Sequence, residues 1–169
     1  MLFRSRLALL HQALEHARSS PFYRDRLAGP PLSSLTDLVR MPLTTKEDLR
    51  RESPYGLLCV NRKDLCQYHE SFGTTGMPVS AWYTEEDLQD SVRALAGLGV
   101  GFGEDDIVLN RFPYAISAIA HLLHAAAQGA GACVVPVSSR TNVSPYPRVV
   151  DLLRKLGATV LACLPQQAL

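Results

Sequence analysis

The C-terminal half of the chain alternates short, continuously apolar runs with helical patterns, and this alternation most restricts the possible fold. Strands are predicted at 106–110, 132–137 and 158–164. Helices are predicted between them at 116–128 and 147–156. Strands that are apolar on both faces and are joined through helices are typical of parallel sheets with right-handed crossovers. The sequence therefore predicts a βαβαβ unit.

The first third of the chain has helical and irregular patterns. A helix is predicted at 3–18, because apolar residues recur there at spacings of three and four. Shorter helical pieces are predicted at 22–27 and 34–39, and Thr45 with Asp48 three residues later resembles a capping box. No catalytic constellation is evident in this part of the chain.

A pair of strands and a helix link these two regions. The strands are predicted at 65–71 and 79–83, and the helix at about 85–97. The predicted fold class is α/β, with a helical N-terminal segment, a hairpin and the βαβαβ unit. We divide the chain into a helical or irregular segment at 1–64 and a partial α/β subdomain at 65–169.

Charge and cysteine usage narrow the function classes. The 169 residues include 17 Lys and Arg against 16 Asp and Glu, so no basic surface argues for nucleic acid or an anionic membrane. No apolar run has the length that a bilayer demands. The four cysteines lack Cys-x-x-Cys spacing, which argues against zinc or disulfides and for the cytoplasm. Cys133 and Cys163 lie in apolar runs and are predicted to be buried.

The segment 71–78, between the two strands of the hairpin, has the composition of an anion-binding loop. It reads Ser-Phe-Gly-Thr-Thr-Gly-Met-Pro, in which Gly73 and Gly76 bracket two threonines. Successive backbone amides and hydroxyls can donate to the oxygens of one phosphate, and glycine lets the backbone approach without a Cβ. No Gly-Lys-Ser/Thr follows, so the loop is not the P-loop of nucleotide hydrolases. A polar hairpin turn is the alternative interpretation.

The order of short segments along nearly the whole chain resembles the N-terminal part of the phenylacetate–coenzyme A ligase family, within the adenylate-forming (AMP-binding) enzymes. The resemblance implies that the chain is part of the large N-terminal domain of such a ligase. It also favours the phosphate-loop interpretation, since context is what confirms a short motif. The matching segments are Ser20 to Tyr23, Leu43 to Leu49, Pro54 to Leu57, Ser71 to Pro78, Tyr83-Thr84 with Asp87-Leu88, Gly157 to Leu161, and Pro165 to Leu169.

The family resemblance implies a two-step reaction. A carboxylate attacks the α-phosphate of ATP to give an acyl- or aryl-adenylate and pyrophosphate, and a thiol then takes the acyl group. The implied cofactors are ATP and Mg²⁺, with coenzyme A or a carrier-protein phosphopantetheine as the acceptor. In the family, this loop holds the β- and γ-phosphates. The residues of this chain that match it are Ser71, Gly73, Thr74, Thr75 and Gly76.

The segment after the first predicted parallel strand matches the part of the family that lines the acyl pocket. The resemblance makes Phe112, Tyr114, Ile116 and Ser117 the pocket candidates, and implies a small aromatic or apolar carboxylic acid as substrate. Ligands in open α/β folds do gather at the carboxyl ends of strands. The alternative is that Phe112 and Tyr114 are core aromatics. Ser117 and His121 depart from the aryl-activating pattern, which leaves the substrate class open.

Two further features bear on ligands. His121 and His124 are three apart on an apolar helix, but no third ligand accompanies them, so we predict a core or pocket role and no metal site.

In the loop, Phe72 replaces a hydroxyl or glycine of the relatives. Met77 and Val79 stand where many relatives have a lysine, which implies a weaker attraction for phosphate.

The resemblance also indicates what has no counterpart here. The adenine-binding segment with its acidic metal ligand, the ribose-binding Asp and the domain with the catalytic Lys are missing, so no catalytic residue is assigned. We expect the 169 residues alone to be inactive and the remaining part of the ligase to be a partner. A homodimer is a further candidate assembly, and neither nucleic acid nor a membrane is expected as a partner.

Two other functions are alternatives. The chain could be a degenerate, non-catalytic relative that serves as a nucleotide-binding or protein-interaction module, as Phe72 and Met77 suggest. A flavodoxin-like or Rossmann cofactor domain is disfavoured, because Arg111-Phe112-Pro113 stands where its glycine-rich turn is expected.

Overall fold

The structure is a computed structural model of the chain, and it describes residues 2–71, 73, 76–97 and 101–168. The chain forms two compact units, Met1–Trp82 and Tyr83–Leu169. We call them the N-terminal unit and the C-terminal unit and describe each by itself. The division into residues 1–64 and 65–169 stays a prediction.

The N-terminal unit is mainly helical, as predicted, and ends within β2, which pairs with β1 in a two-stranded sheet. Its helix α3 begins at a capping box, in which the Thr45 hydroxyl accepts from the Asp48 amide and the Asp48 carboxylate accepts from the Thr45 amide. The elements are α1 (Leu2–Ala17), α2 (Pro21–Arg26), a 3₁₀ turn (Leu35–Arg40), α3 (Lys46–Arg51), a 3₁₀ turn (Arg62–Asp64), β1 (Leu65–Glu70) and β2 (Ser80–Thr84).

The C-terminal unit contains the predicted βαβαβ arrangement. Its three strands are parallel, and β3 lies in the centre of the order β4-β3-β5. In the register, Leu109 of β3 lies between Val135 of β4 and Leu161 of β5. The elements are α4 (Glu85–Ala96), β3 (Ile107–Asn110), α5 (Ala118–Gly129), β4 (Cys133–Pro136), α6 (Tyr146–Leu156), β5 (Val160–Ala162) and a 3₁₀ turn (Pro165–Gln167).

Successive residues of β3 serve two separate cores, because side chains alternate between the faces of a strand. Val108 is fully buried with Ala127 of α5. Leu109 is fully buried on the other face with Val149 of α6 and Val137. The chain therefore passes through α5 on one face to reach β4 and through α6 on the other face to reach β5. The carboxyl end of β3 is the point where the strand order changes direction, which is where ligands bind in open α/β sheets.

The cysteine prediction is partly wrong. Cys133 is exposed and Cys163 is only half-buried. Cys133 is the first residue of β4, which lies at the edge of the three-stranded sheet, so an apolar run here does not imply a covered position. No disulfide links the four cysteines, all of which lie in the described part of the chain.

Candidate functional site

The loop between β1 and β2 has backbone geometry that only glycine accommodates well. Gly73 has φ +63° and Gly76 has φ +142°, and the Gly76 amide donates to the Gly73 carbonyl oxygen at 3.1 Å. A Cβ on Gly73 would lie 2.8 Å from the Gly76 carbonyl oxygen. The loop therefore has a tight turn that requires glycine at both positions. Phe72, Thr74 and Thr75 lie outside the described residues.

Ser71 closes the base of the loop. Its amide donates to the Val79 carbonyl oxygen at 3.0 Å, and its hydroxyl oxygen accepts from the Val79 amide at 2.9 Å. These two bonds fix where the chain leaves β1 and returns to β2. The hydroxyl hydrogen of Ser71 is not used in the bond with Val79, and the residue is exposed, so it can donate to a ligand oxygen.

Arg50, on α3, brings a cation to this loop. Its Nε donates to the Met77 carbonyl oxygen at 3.1 Å, and its Nη1 donates to Glu47 at 3.0 Å. A Cβ on Gly76 would lie 3.3 Å from Nη2 and 3.4 Å from Cζ of Arg50. The Arg50 side chain is only 19% exposed, whereas Glu47 is 75% exposed. The guanidinium is thus packed against the turn and partly shielded from water.

Sequence reasoning missed Arg50. It lies 27 residues before Met77, so no local motif connects the two. The sequence offered one indication, which is that Arg50 directly follows the segment Leu43 to Leu49 that resembles the ligase family. The loop has no lysine at Met77 or Val79, but the fold supplies a positive charge beside Gly76.

An aromatic cluster holds the strands that carry the loop. Trp82 of β2 packs on Tyr68 of β1 with ring centroids 4.5 Å apart, and it stacks on Tyr55 at 5.5 Å. The Trp82 indole donates to the Pro54 carbonyl oxygen at 2.6 Å. Arg62 lies 3.8 Å above the Tyr55 ring. This packing sets the strand geometry at the base of the loop independently of any ligand.

In the C-terminal unit, a polar network fixes the segment after β3. The Asn110 side-chain amide donates to the Tyr114 hydroxyl and to the Ala120 carbonyl oxygen, both at 2.9 Å. The Tyr114 hydroxyl also bonds His124 Nδ1 at 3.1 Å. Burial raises the pKa of Tyr114, and the hydrogen bond from Asn110 opposes that rise. Tyr114 therefore stays neutral and is held from inside the unit.

The two histidines of α5 surround Tyr114. His121 Nε2 donates to the Tyr114 carbonyl oxygen at 2.8 Å, and both imidazoles meet the tyrosine ring edge-on, at 5.3 and 6.0 Å. Within the described residues, no three His, Cys, Asp or Glu side chains are grouped as a metal site would require. The observed partners of the histidines are those of a hydrogen-bonded network around Tyr114.

The other predicted pocket residues lie along the same turn. Phe112 is half-buried, and its amide donates to the Asn110 side-chain oxygen at 3.1 Å. Ile116 is 56% exposed and has φ +63°, a region that β-branched residues strongly avoid. Ser117 is the N-cap residue of α5 without a side-chain cap bond. The segment thus presents the half-buried ring of Phe112, the exposed side chain of Ile116 on a strained backbone, and the hydroxyl of Ser117, which does not cap α5.

Comparison with solved structures shows that the fold is that of the adenylate-forming coenzyme A ligases. An open form of 2-hydroxyisobutyryl-CoA ligase, solved in complex with 2-HIB-AMP and CoA, superposes with a TM-score of 0.84 at 23% identity. The match covers 98% of this chain and 41% of that one. Its thioesterification state gives a TM-score of 0.81 at 24% identity, over 94% of this chain and 36% of that one.

Sequence comparison narrows this class to one family. Phenylacetate-coenzyme A ligase of Thermus thermophilus is 35% identical over 157 residues, which are 88% of this chain and 34% of that ligase. The ligase of that name from Pseudomonas putida is 30% identical over 171 residues, or 96% of this chain and 38% of that ligase. These matches confirm the predicted resemblance to the phenylacetate–coenzyme A ligase family.

Two facts qualify the comparison. The chain spans about a third of the length of these curated relatives, and no protein-family model matches it. Separately, no helix in the described part of the chain is both long and apolar enough to span a bilayer.

Proposed function

We propose that the protein carrying this chain is an ATP-dependent ligase that activates a small carboxylic acid as its acyl-adenylate and transfers the acyl group to coenzyme A. The observation that carries the proposal is the glycine turn of the N-terminal unit with Arg50 packed against it. This turn lies in a chain of which 88% matches a phenylacetate-coenzyme A ligase. A carrier-protein thiol is the other candidate acceptor.

The loop is suited to hold the β- and γ-phosphates of ATP. Backbone with positive φ, as at Gly73 and Gly76, can direct amide groups towards one anion. Ser71 can donate its hydroxyl hydrogen, and we assign Thr74 and Thr75 the same role on the basis of the family resemblance. Arg50 would offset the negative charge of the departing pyrophosphate, because positioning and charge neutralisation dominate nucleotidyl transfer.

Magnesium is proposed as a companion of the nucleotide. The described residues hold no cluster of carboxylates that would bind the ion by themselves. Mg²⁺ usually retains several waters and binds through substrate phosphates together with one or two carboxylates. Its role would be to share the charge of the phosphates.

We propose Phe112, Tyr114, Ile116 and Ser117 as the acyl pocket of the C-terminal unit. The exposed side chain of Ile116 and the half-buried ring of Phe112 offer apolar contact, which favours an aromatic or apolar acid. Strained backbone such as that of Ile116 is concentrated at ligand sites. The Tyr114 hydroxyl already has two partners, so its contribution would be the ring.

The test is acid-dependent exchange of labelled pyrophosphate into ATP, with a panel of aryl and aliphatic acids and the complete gene product that carries this chain. We expect exchange with at least one acid, and its loss in Thr74→Ala and Thr75→Ala, which remove loop hydroxyls. Arg24→Gln, a change of an exposed residue outside the loop, is the matched control. Nucleotide binding without exchange for any acid would contradict the proposed reaction.

A non-catalytic relative is the second candidate, and the exposure of Met77 on the loop favours it. A module that only binds other proteins needs no phosphate-binding site, so ATP should not raise its melting temperature. A rise that Thr74→Ala abolishes would exclude that module. Inactivity of the 169 residues alone, a cytoplasmic location and a homodimer stay predictions.

A further inference from the structure

Arg111 is a fully buried arginine at the carboxyl end of β3. Its amide donates to the Ala162 carbonyl oxygen at 2.8 Å, so it continues the strand pairing with β5 by one residue. Its side chain lies on the α6 side, where Nη1 donates to the Ser144 carbonyl oxygen at 3.2 Å and Cζ lies 4.6 Å from the centre of the Tyr146 ring. The guanidinium thus sits at the point where the strand order changes direction.

Two of its donors have no partner. Nε and Nη2 are buried and form no hydrogen bond within the described residues, and Arg111 takes part in none of the ion pairs found there. A buried guanidinium without a counter-charge is strongly unfavourable. Buried polar groups in folded proteins are otherwise almost all paired. These two donors are therefore suited to an anion.

The geometry of the free donors indicates which anion fits. Nε and Nη2 lie on one edge of the planar guanidinium and point their hydrogens in parallel, an arrangement that matches the two oxygens of a carboxylate. The ring of Tyr146 occupies the face of the guanidinium, and Ser144 occupies Nη1. Only the edge that suits bidentate binding is left.

The start of α6 adds to the positive potential. Ser144 directly precedes Pro145, the N-cap of this 11-residue helix, and no side chain caps the helix there. The amino end of a helix carries a partial positive charge, which favours an anion and disfavours the arginine alone. The buried cation and the uncapped helix end point to the same kind of ligand.

We propose that Arg111 and the start of α6 form a carboxylate-binding site at the carboxyl end of β3. It takes the carboxylate of a small organic acid through Nε and Nη2. Tyr146 is 48% exposed and its ring lies over the buried guanidinium, so rotation of that ring would open a path from solvent. The site lies within the C-terminal unit and does not depend on the phosphate loop or on the proposed ligase reaction.

The first experiment is a titration of the 169-residue chain with sodium acetate and sodium succinate at constant ionic strength, with sodium chloride and inorganic phosphate in parallel. The readout is the ¹⁵Nε–¹Hε NMR signal of Arg111, assigned through its contacts with the Tyr146 ring. A saturable shift of this signal with the carboxylates, beyond any change with chloride, is expected. A response equal to that of chloride, or one seen only with phosphate, overturns the carboxylate site.

Variants provide the second readout, by thermal shift in the same titration. Arg111→Met should weaken carboxylate binding roughly tenfold to a hundredfold, as expected for loss of two charge-assisted hydrogen bonds. Without carboxylate, the variant should melt no lower than the parent chain, since it removes an unpaired buried charge. Arg148→Met, at an exposed position of α6, should respond as the parent does. Unchanged carboxylate affinity in Arg111→Met overturns the proposal. If that variant fails to fold, the NMR titration of the parent chain is the deciding test.

Discussion

Replacing Arg50 with Gln should weaken the binding of pyrophosphate to the loop. Its side chain is mostly buried beside Gly76, so its charge acts through a medium less polar than water. For unit charges about 5 Å apart and an effective dielectric constant of about 20 to 40, the attraction is about 1.5 to 3 kcal/mol. Glu47 neutralises part of the charge, which reduces the expected loss to about 1 to 2 kcal/mol, or roughly five- to thirtyfold in affinity.

The assay is isothermal titration calorimetry of the 169-residue chain with pyrophosphate and with ATP at several salt concentrations. Arg51→Gln is the matched control, because the guanidinium of Arg51 binds Asp48 and Glu52 rather than the loop. Glu47→Gln should tighten binding, since it removes a carboxylate that offsets part of the charge of Arg50. Adding Met77→Lys to Arg50→Gln should restore affinity, because Met77 is an exposed loop residue. All of these differences should shrink as salt screens the charges.

Two results would refute parts of this reasoning separately. If the parent chain binds neither ligand, the phosphate-loop proposal fails. If the parent binds but Arg50→Gln changes affinity by less than about twofold, under about 0.5 kcal/mol, Arg50 is only a structural support of the turn. If Arg50→Gln does lose affinity, but neither salt nor Met77→Lys alters that loss, Arg50 is likewise only a structural support of the turn.

Three predictions concern stability and are checked by urea unfolding. Leu109→Ala should lower the free energy of unfolding by about 3 to 5 kcal/mol, because Leu109 is fully buried, whereas Leu164→Ala, at a 47% exposed site, should change it by less than about 0.5 kcal/mol. Ile116→Gly should raise it by about 1 kcal/mol, because relief of a left-handed backbone exceeds the entropic cost of glycine at a mostly exposed position; a loss would contradict strain at this residue. The amide of Thr45 and then Arg51 lower the pKa of Asp48 from 3.8 to about 2, so its contribution is complete above about pH 4 and is lost as the pH falls towards 2. Asp48→Asn should flatten that part of the pH profile, and an unchanged profile would contradict the assignment.

Features set by neighbouring residues were predictable from the sequence. The strands and helices of the C-terminal unit follow from hydrophobic periodicity, which acts within each element. The capping box of Thr45 and Asp48 needs only a spacing of three residues. The positive φ values of Gly73 and Gly76 likewise agree with the ability of glycine to adopt such backbone.

Features set by tertiary packing were not predictable in this way. Arg50 reaches Met77 across 27 residues, and only the folded N-terminal unit brings them together. Exposure of Cys133 depends on which strand lies at the sheet edge, and an apolar run does not encode that. The left-handed backbone of Ile116 is opposite to the preference of an isoleucine, so surrounding contacts must impose it.

The carboxyl end of β3 has a consequence for how sequences of this kind can change. Asn110 serves the hydrogen-bonded network on the α5 side, and the next residue, Arg111, is buried on the α6 side. Inserting or deleting one residue in β3 would turn each side chain to the opposite face of the sheet, so neither Asn110 nor Arg111 would keep its present partners. Substitutions can alter either site alone, but the length of this strand is fixed by both. We expect homologous chains to vary in residue type here far more readily than in the residue count of β3.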